Sequence, residues 1–120
     1  MLRKYLLISV LMTASVLFAQ NKKTEWTGTA SYYHPKFNGR KTASGQHFNN
    51  TFLTAANNFL KLGTHVKVTN LKNNQSVIVV INDRMNARNH RLIDVSEEAA
   101  KRLGFIKNGL CKVRLELINP

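Results

Sequence analysis

The sequence predicts a mainly β domain, closed on itself as a small barrel with one or two short helices. Three observations predict it. Short stretches rich in β-formers recur between turn signals from Trp26 to Ile118, the pattern of an all-β domain. Only one segment, Ser96 to Leu103, carries helix signals at both ends. About ninety residues must hold six or so strands, and in so small a sheet closure removes the exposed edges.

The elements follow in order. Arg3 and Lys4 precede a mostly apolar run from Tyr5 to Phe18, and Ala19 supplies a small residue for cleavage. Residues 1–20 therefore read as a secretory signal peptide, and the run is shorter than the roughly twenty residues that a membrane span needs. No Cys stands near its end for lipid attachment. Residues 21–26 read as a polar tether and 27–119 as one domain. Strand character starts at Trp26 and runs to Tyr33, ending at His34-Pro35. Phe37 to Asn50 is a long loop with Gly39 and Gly45, of a length that in a compact domain usually serves function.

Thr64 to Leu71 alternates, Asn73-Asn74 marks a tight turn, and Ser76 to Ile81 is nearly continuous in apolar residues. Together they predict a hairpin whose second strand is central and buried on both faces. Asn82-Asp83-Arg84 lies where that strand ends. A polar loop, Met85 to His90, leads to a short strand at Leu92 to Val95. Ser96 caps the helix. Glu97 and Glu98 in its first turn and Lys101 and Arg102 in its last suit the helix dipole and form two i,i+4 pairs. Gly104 stops it, and Ala99, Ala100 and Leu103 face the core. Cys111 to Leu117 alternates as a last strand.

The chain carries +12 in total; without Arg3 and Lys4, sixteen basic side chains face six acidic ones, near +10. Such a balance favours polyanionic partners. For an exported protein these are the carboxylate-bearing cell wall and anionic envelope surfaces, not nucleic acid. The single Cys111 allows no internal disulfide, and its alternating surroundings predict a buried, inert thiol.

His34, His47, His65 and His90 show no metal-ligand spacing, and no phosphate loop, dinucleotide fingerprint or nucleophile elbow is present. No metal or cofactor is expected. Among the acidic residues, Glu97 and Glu98 belong to the helix, Glu25 to the tether and Glu116 to the outer face of a strand. That leaves Asp83 and Asp94. A carboxyl at the mouth of a buried strand is partly removed from water, which favours its protonated form and suits a general acid. Arg84 beside it pushes the other way, and a salt-bridged or turn-capping Asp83 is the alternative. Asp94, two residues before the helix, suits a supporting role.

Several blocks taken together resemble a known family. They are Gly28-Thr29-Ala30-Ser31-Tyr32-Tyr33, Phe37 to Gly45, Leu53-Thr54-Ala55-Ala56, Leu62-Gly63-Thr64 with Val66 to Leu71, Ile81-Asn82-Asp83-Arg84, and Ile93-Asp94-Val95-Ser96 with Ala99-Ala100 and Leu103-Gly104. In this order, over residues 28–118, they resemble the rare lipoprotein A family of endolytic peptidoglycan transglycosylases. The resemblance implies a six-stranded double-psi β-barrel, the fold of expansins and barwin-like proteins. It implies cleavage of the glycan strand between N-acetylmuramic acid and N-acetylglucosamine, leaving 1,6-anhydro ends. Asp83 takes the acid/base role by its motif. Asp94 is the second catalytic candidate, from the matching expansin motif.

Three positions depart from the family pattern: Gln46 stands where Glu is common, Asn57 where His is common, and Met85-Asn86 where Gly-Pro is usual. Ser31, Tyr33, Gln46, Phe48, Asn57 and Arg84 are the expected substrate contacts. Tyr33 and Phe48 would stack on sugar faces, Gln46 and Asn57 would hydrogen-bond sugar groups, and Arg40, Arg84 and Arg88 would meet carboxylates. The expected protein is a monomer of the bacterial periplasm or cell envelope acting on peptidoglycan strands. The alternative is a non-catalytic, expansin-like module that binds or loosens the wall through the same groove.

Overall fold

The computed structural model describes residues 22–120; the expected signal peptide lies outside them. Six strands follow the chain: β1 (Glu25–Tyr32), β2 (Thr54–Ala56), β3 (His65–Asn70), β4 (Ser76–Asp83), β5 (Ile93–Val95) and β6 (Cys111–Leu117). A 3-10 turn covers Pro35–Phe37 and one helix, α1, covers Glu97–Leu103. The strands close in the order β1-β5-β2-β4-β3-β6, with β6 returning antiparallel to β1. Two neighbouring pairs, β1–β5 and β2–β4, are parallel. The mainly β, six-stranded closed barrel is the one expected. β1 begins at Glu25, one residue before the strand start read from the sequence.

The barrel interior is filled by β-branched and small side chains. Val66, Val68, Val79, Ile81, Ile93, Val95, Val113 and Leu115 are each fully buried, as alternation on closed strands requires. α1 covers one end with Ala99, Ala100 and Leu103, and Phe105 follows it into the core. Ser96 caps the helix by accepting from the Ala99 amide, and Gly104 ends it in the left-handed conformation at φ 79°. Glu98 pairs with Arg102 at 3.4 Å. Glu97 instead meets the Asn50 side-chain amide at 3.5 Å, while Asn50 Oδ1 accepts the Glu97 amide. The helix start is thus tied to the long loop rather than to Lys101.

Two burial expectations are corrected. β4 is not buried on both faces: Ile78 is 49% exposed, because the outer face of a barrel strand meets solvent wherever no loop or helix crosses it. Only near Ile81 and Asn82, where the Gly63 and Ser44 amides bond to the strand, is it enclosed on both sides. Cys111 is half-buried rather than buried. Partial burial still pushes its thiol pKa up, opposed by the nearby Lys72 charge.

Candidate active site

The barrel closure places one row of residues across four strands. Ser31 on β1 is in register with Asp94 on β5. Asp94 is in register with Ala56 on β2, and Ala56 with Asp83 on β4. Residues in register on adjacent strands present their side chains to the same face. Ser31, Asp94, Ala56 and Asp83 accordingly line one groove, with a volume of about 640 Å3. Two strand spacings separate the aspartates, which puts their Cα atoms about 10 Å apart. Tyr33 extends the row: its amide continues the β1–β5 ladder to the Val95 carbonyl, and its ring crosses towards Asp83.

Asp83 is held by three donors. Its Oδ1 accepts the backbone amides of Ala43 and Arg84, each at 2.9 Å, and its Oδ2 accepts the Tyr33 hydroxyl at 2.6 Å. A carboxylate offers about four acceptor directions. Oδ1 is therefore used up, and Oδ2 keeps one direction for a ligand. The Ala43 amide comes from the long loop, which is pinned to the end of β4 at two more points. The Ser44 amide donates to the Asn82 carbonyl, and the Asn82 side-chain amide donates to Gln46 Oε1 at 3.1 Å. Burial, and then donation to Asp83, push the Tyr33 phenol far above the ordinary tyrosine range. The hydroxyl therefore keeps its proton, and its role as donor, above the pH at which an ordinary tyrosine ionises.

Asp94 is bound differently. Its Oδ1 accepts from Ser31 Oγ at 2.6 Å and Arg91 Nε at 2.9 Å, and its Oδ2 from Arg91 Nη2 at 3.1 Å. The arrangement is a bidentate ion pair. Donation to Asp94 raises the Arg91 pKa, with partial burial opposing.

The other expected contacts separate into two groups. Ser31, Tyr33, Phe48 and Arg84 line the groove with the two aspartates. Phe48 is only 3% exposed, with its face under the Tyr33 ring at 4.2 Å; it supports Tyr33 from beneath. The Arg84 guanidinium turns towards the carbonyls of Asn57 and Leu60. Gln46 and Asn57 lie outside the groove lining. Gln46 is exposed and holds Asn82. Asn57 is fully buried. Its Nδ2 donates to the Leu92 carbonyl, and its Oδ1 accepts the Phe59 and Leu60 amides. Both ends of that side chain are committed inside the fold, which leaves it no group for a ligand.

Sequence reasoning missed Arg91, although its position three residues before Asp94 was a usable signal. It also missed the Ala43 amide, which no side-chain pattern could reveal. Phe37 is a third: its ring meets the Tyr33 edge at 6.0 Å and carries the Arg40 guanidinium 5.1 Å from its centroid.

The chain is 54% identical over 91 residues to the endolytic peptidoglycan transglycosylase RlpA of Pasteurella multocida, covering 76% of this chain and 31% of that protein. It is 51% identical over 92 residues to the protein of the same name in Haemophilus influenzae, covering 77% and 32%. The chain thus spans about a third of the length of these curated relatives. Among solved structures, an apo expansin of Clavibacter michiganensis superposes with a TM-score of 0.62 at 21% identity, covering 80% of this chain and 52% of that one. That likeness shows a shared double-psi barrel fold. The family model described as lytic transglycolase matches residues 25–115. Because that span runs from the first residue of β1 into β6 and includes both groove aspartates, the chain belongs to the lytic transglycolase domain family.

Proposed function

We propose that this protein is an endolytic peptidoglycan lytic transglycosylase in which Asp83 is the single acid/base. The observation that carries the reading is the unequal state of the two groove carboxylates. Each keeps one open acceptor direction on Oδ2, but Asp94 is held in a bidentate ion pair with Arg91, whereas the three donors to Asp83 are two backbone amides and a phenol, all uncharged. Hydrolysis of a glycoside ordinarily needs two working carboxyls. An internal transfer needs only one. Protonated Asp83 gives its proton to the glycosidic oxygen as the bond from muramic acid C1 breaks, and N-acetylglucosamine leaves as an alcohol. The 6-hydroxyl oxygen of the same muramic acid bonds to C1, and its proton passes to Asp83. The residue ends as it began, no water is consumed, and the product carries a 1,6-anhydro end.

Tyr33 fixes the orientation of Asp83 in this scheme. Asp94 fixes Arg91 at the groove wall. Ser31 and Arg84 complete the lining around the sugar, with Gln46 holding the loop that supplies the Ala43 amide. The names borne by the Pasteurella and Haemophilus relatives support peptidoglycan as the substrate, as does the +12 charge. Residues 1–20 support export to the periplasm or cell envelope. Among the described residues no helix is long and apolar enough to cross a membrane. The protein acts as a monomer in this reading.

The test is digestion of purified peptidoglycan, intact and stripped of stem peptides, by the protein and by Asp83→Asn, with soluble products identified by mass spectrometry. Anhydro-ended fragments from the protein and none from the variant are expected. Reducing-end fragments would mean a hydrolase. Sedimentation with the wall without any release would leave the non-catalytic, expansin-like wall module.

A further inference from the structure

The loop between β4 and β5 contains two copies of one tripeptide pattern, Asn86-Ala87-Arg88 and Asn89-His90-Arg91. Each Asn side chain accepts the backbone amide of the arginine two residues on, Asn86 Oδ1 from Arg88 and Asn89 Oδ1 from Arg91, both at 2.9 Å. The Asn89 amide in turn donates to the Asn86 carbonyl at 2.9 Å. Such turns fix backbone that would otherwise be free, so both arginines leave the loop from set positions.

The two arginines meet different surroundings. Arg91 is spent on Asp94, with two of its nitrogens engaged. Arg88 is exposed, and its side chain has no hydrogen bond or ion pair among the described residues. It stands in a second, shallow cavity of about 640 Å3, between Thr29, His90 and Leu110. No carboxylate lines that cavity, and Leu110, 57% exposed, gives it an apolar floor. The cavity shares Asn86, Asn89 and Arg91 with the Asp83 groove. The two cavities are therefore adjacent.

We propose that this second cavity is a further saccharide subsite, in which Arg88 reads a carboxylate carried by the glycan strand. The inference rests on the peptidoglycan reading and deepens it. In a strand where every second sugar is a muramic acid, a muramic acid at the cleavage point places another one disaccharide further on. Its carboxylate is that of the lactyl ether where the stem peptide has been removed, or that of the peptide where it remains. An exposed guanidinium carried on a fixed stretch of backbone, with no counter-ion among the described residues, suits either one. Leu110 and the Thr29 hydroxyl offer the ring an apolar contact and a hydrogen bond.

The test is a binding measurement on the full chain, carrying Asp83→Asn so that the glycan stays uncut, with and without Arg88→Gln. Three insoluble probes are sedimented with it: glycan stripped of peptides, the same glycan with its carboxyls converted to methylamides, and intact peptidoglycan. Arg88→Gln is expected to weaken binding about fivefold, the scale of one exposed charge-assisted contact, and to leave the methylamide probe unaffected. Loss on stripped glycan assigns the lactyl carboxylate; loss on intact peptidoglycan alone assigns the stem peptide. Arg88→Lys, which keeps the charge, is expected to retain part of the binding. Unchanged binding to all three probes, or an equal loss on the methylamide probe, overturns the subsite. Release of anhydro fragments by the chain with Asp83 intact is scored separately. Failure of the subsite is thereby distinguished from failure of the transglycosylase reading.

Discussion

The Tyr33 hydroxyl donates a 2.6 Å hydrogen bond to Asp83 Oδ2, joining residues fifty positions apart. The ring that carries it is backed by Phe48 at 4.2 Å, so the hydroxyl has little room to swing away. Tyr33→Phe keeps the ring and removes the donor. A hydrogen bond to a charged group contributes about 1.5–3 kcal/mol, and loss of Asp83 orientation at the lower end of that range corresponds to roughly tenfold slower release of anhydro fragments. Digestion time courses at equal folded concentration check it.

The same pair sets an alkaline limit. The folded phenol binds its proton more tightly than an ordinary tyrosine near 10.0. The unfolded chain therefore releases that proton first as pH rises. The Tyr33 contribution to stability is intact below about pH 10 and declines above it, towards the higher folded value. Urea unfolding between pH 9 and 11 is expected to show a steeper decline for the native protein than for Tyr33→Phe. Parallel curves would remove the phenol from the account.

Asp94 Oδ1 is shared by Ser31 and Arg91. Each of Ser31→Ala and Arg91→Ala is expected to cost about 1 kcal/mol, the pair being partly exposed to solvent. Their effects act on one oxygen, so the double variant is expected to depart from the sum by at least 0.5 kcal/mol. A double-mutant cycle by urea unfolding measures the departure.

Restoring the family residues is expected to be nearly neutral at one position and destabilising at another. Gln46 is exposed, and a glutamate there retains an acceptor for Asn82; Gln46→Glu should change stability by less than about 0.5 kcal/mol. Asn57 is fully buried with both ends of its side chain engaged. Asn57→His breaks that bracket and overfills the site, at a cost of about 1–3 kcal/mol. Thermal unfolding of the two variants distinguishes them.

Gly28 has room for no side chain: an added Cβ would lie 2.8 Å from Leu92 Cβ. Gly28→Ala must push β1 away from the residue that leads into β5. Overpacking of this kind costs about 1–3 kcal/mol, measured as a lower urea midpoint, and because it disturbs the Ser31–Asp94 register it should reduce glycan release as well.

What the sequence revealed follows the range of the interactions. α1, with Ser96 at one end and Gly104 at the other, obeys rules that act within a few residues, and it was legible to the residue. The β3–β4 hairpin was legible for the same reason. β2 was not placed, because Thr54-Ala55-Ala56 is too short to show a period. It is a strand only because β4 and β5 bond to it from either side. Continuous hydrophobicity in β4 suggested two buried faces, but composition does not say which outer faces a loop will cover, and Ile78 is left open. Asp83 and Asp94 were found by their motifs. Their partners Tyr33, Ala43 and Ser31 come from distant parts of the chain, and the bonds they make are properties of the closed barrel.

The row from Ser31 to Asp83 has a consequence for how the molecule comes into being. Its members lie on four strands, and two of the three junctions between them are parallel or span more than sixty residues of chain. Contacts of such long reach form late, after slow loop closures have been made. The groove therefore has no half-built version: a chain that has formed only its hairpin and helix lacks every one of these junctions. The appearance of activity during refolding would serve as a clock for the final step of assembly.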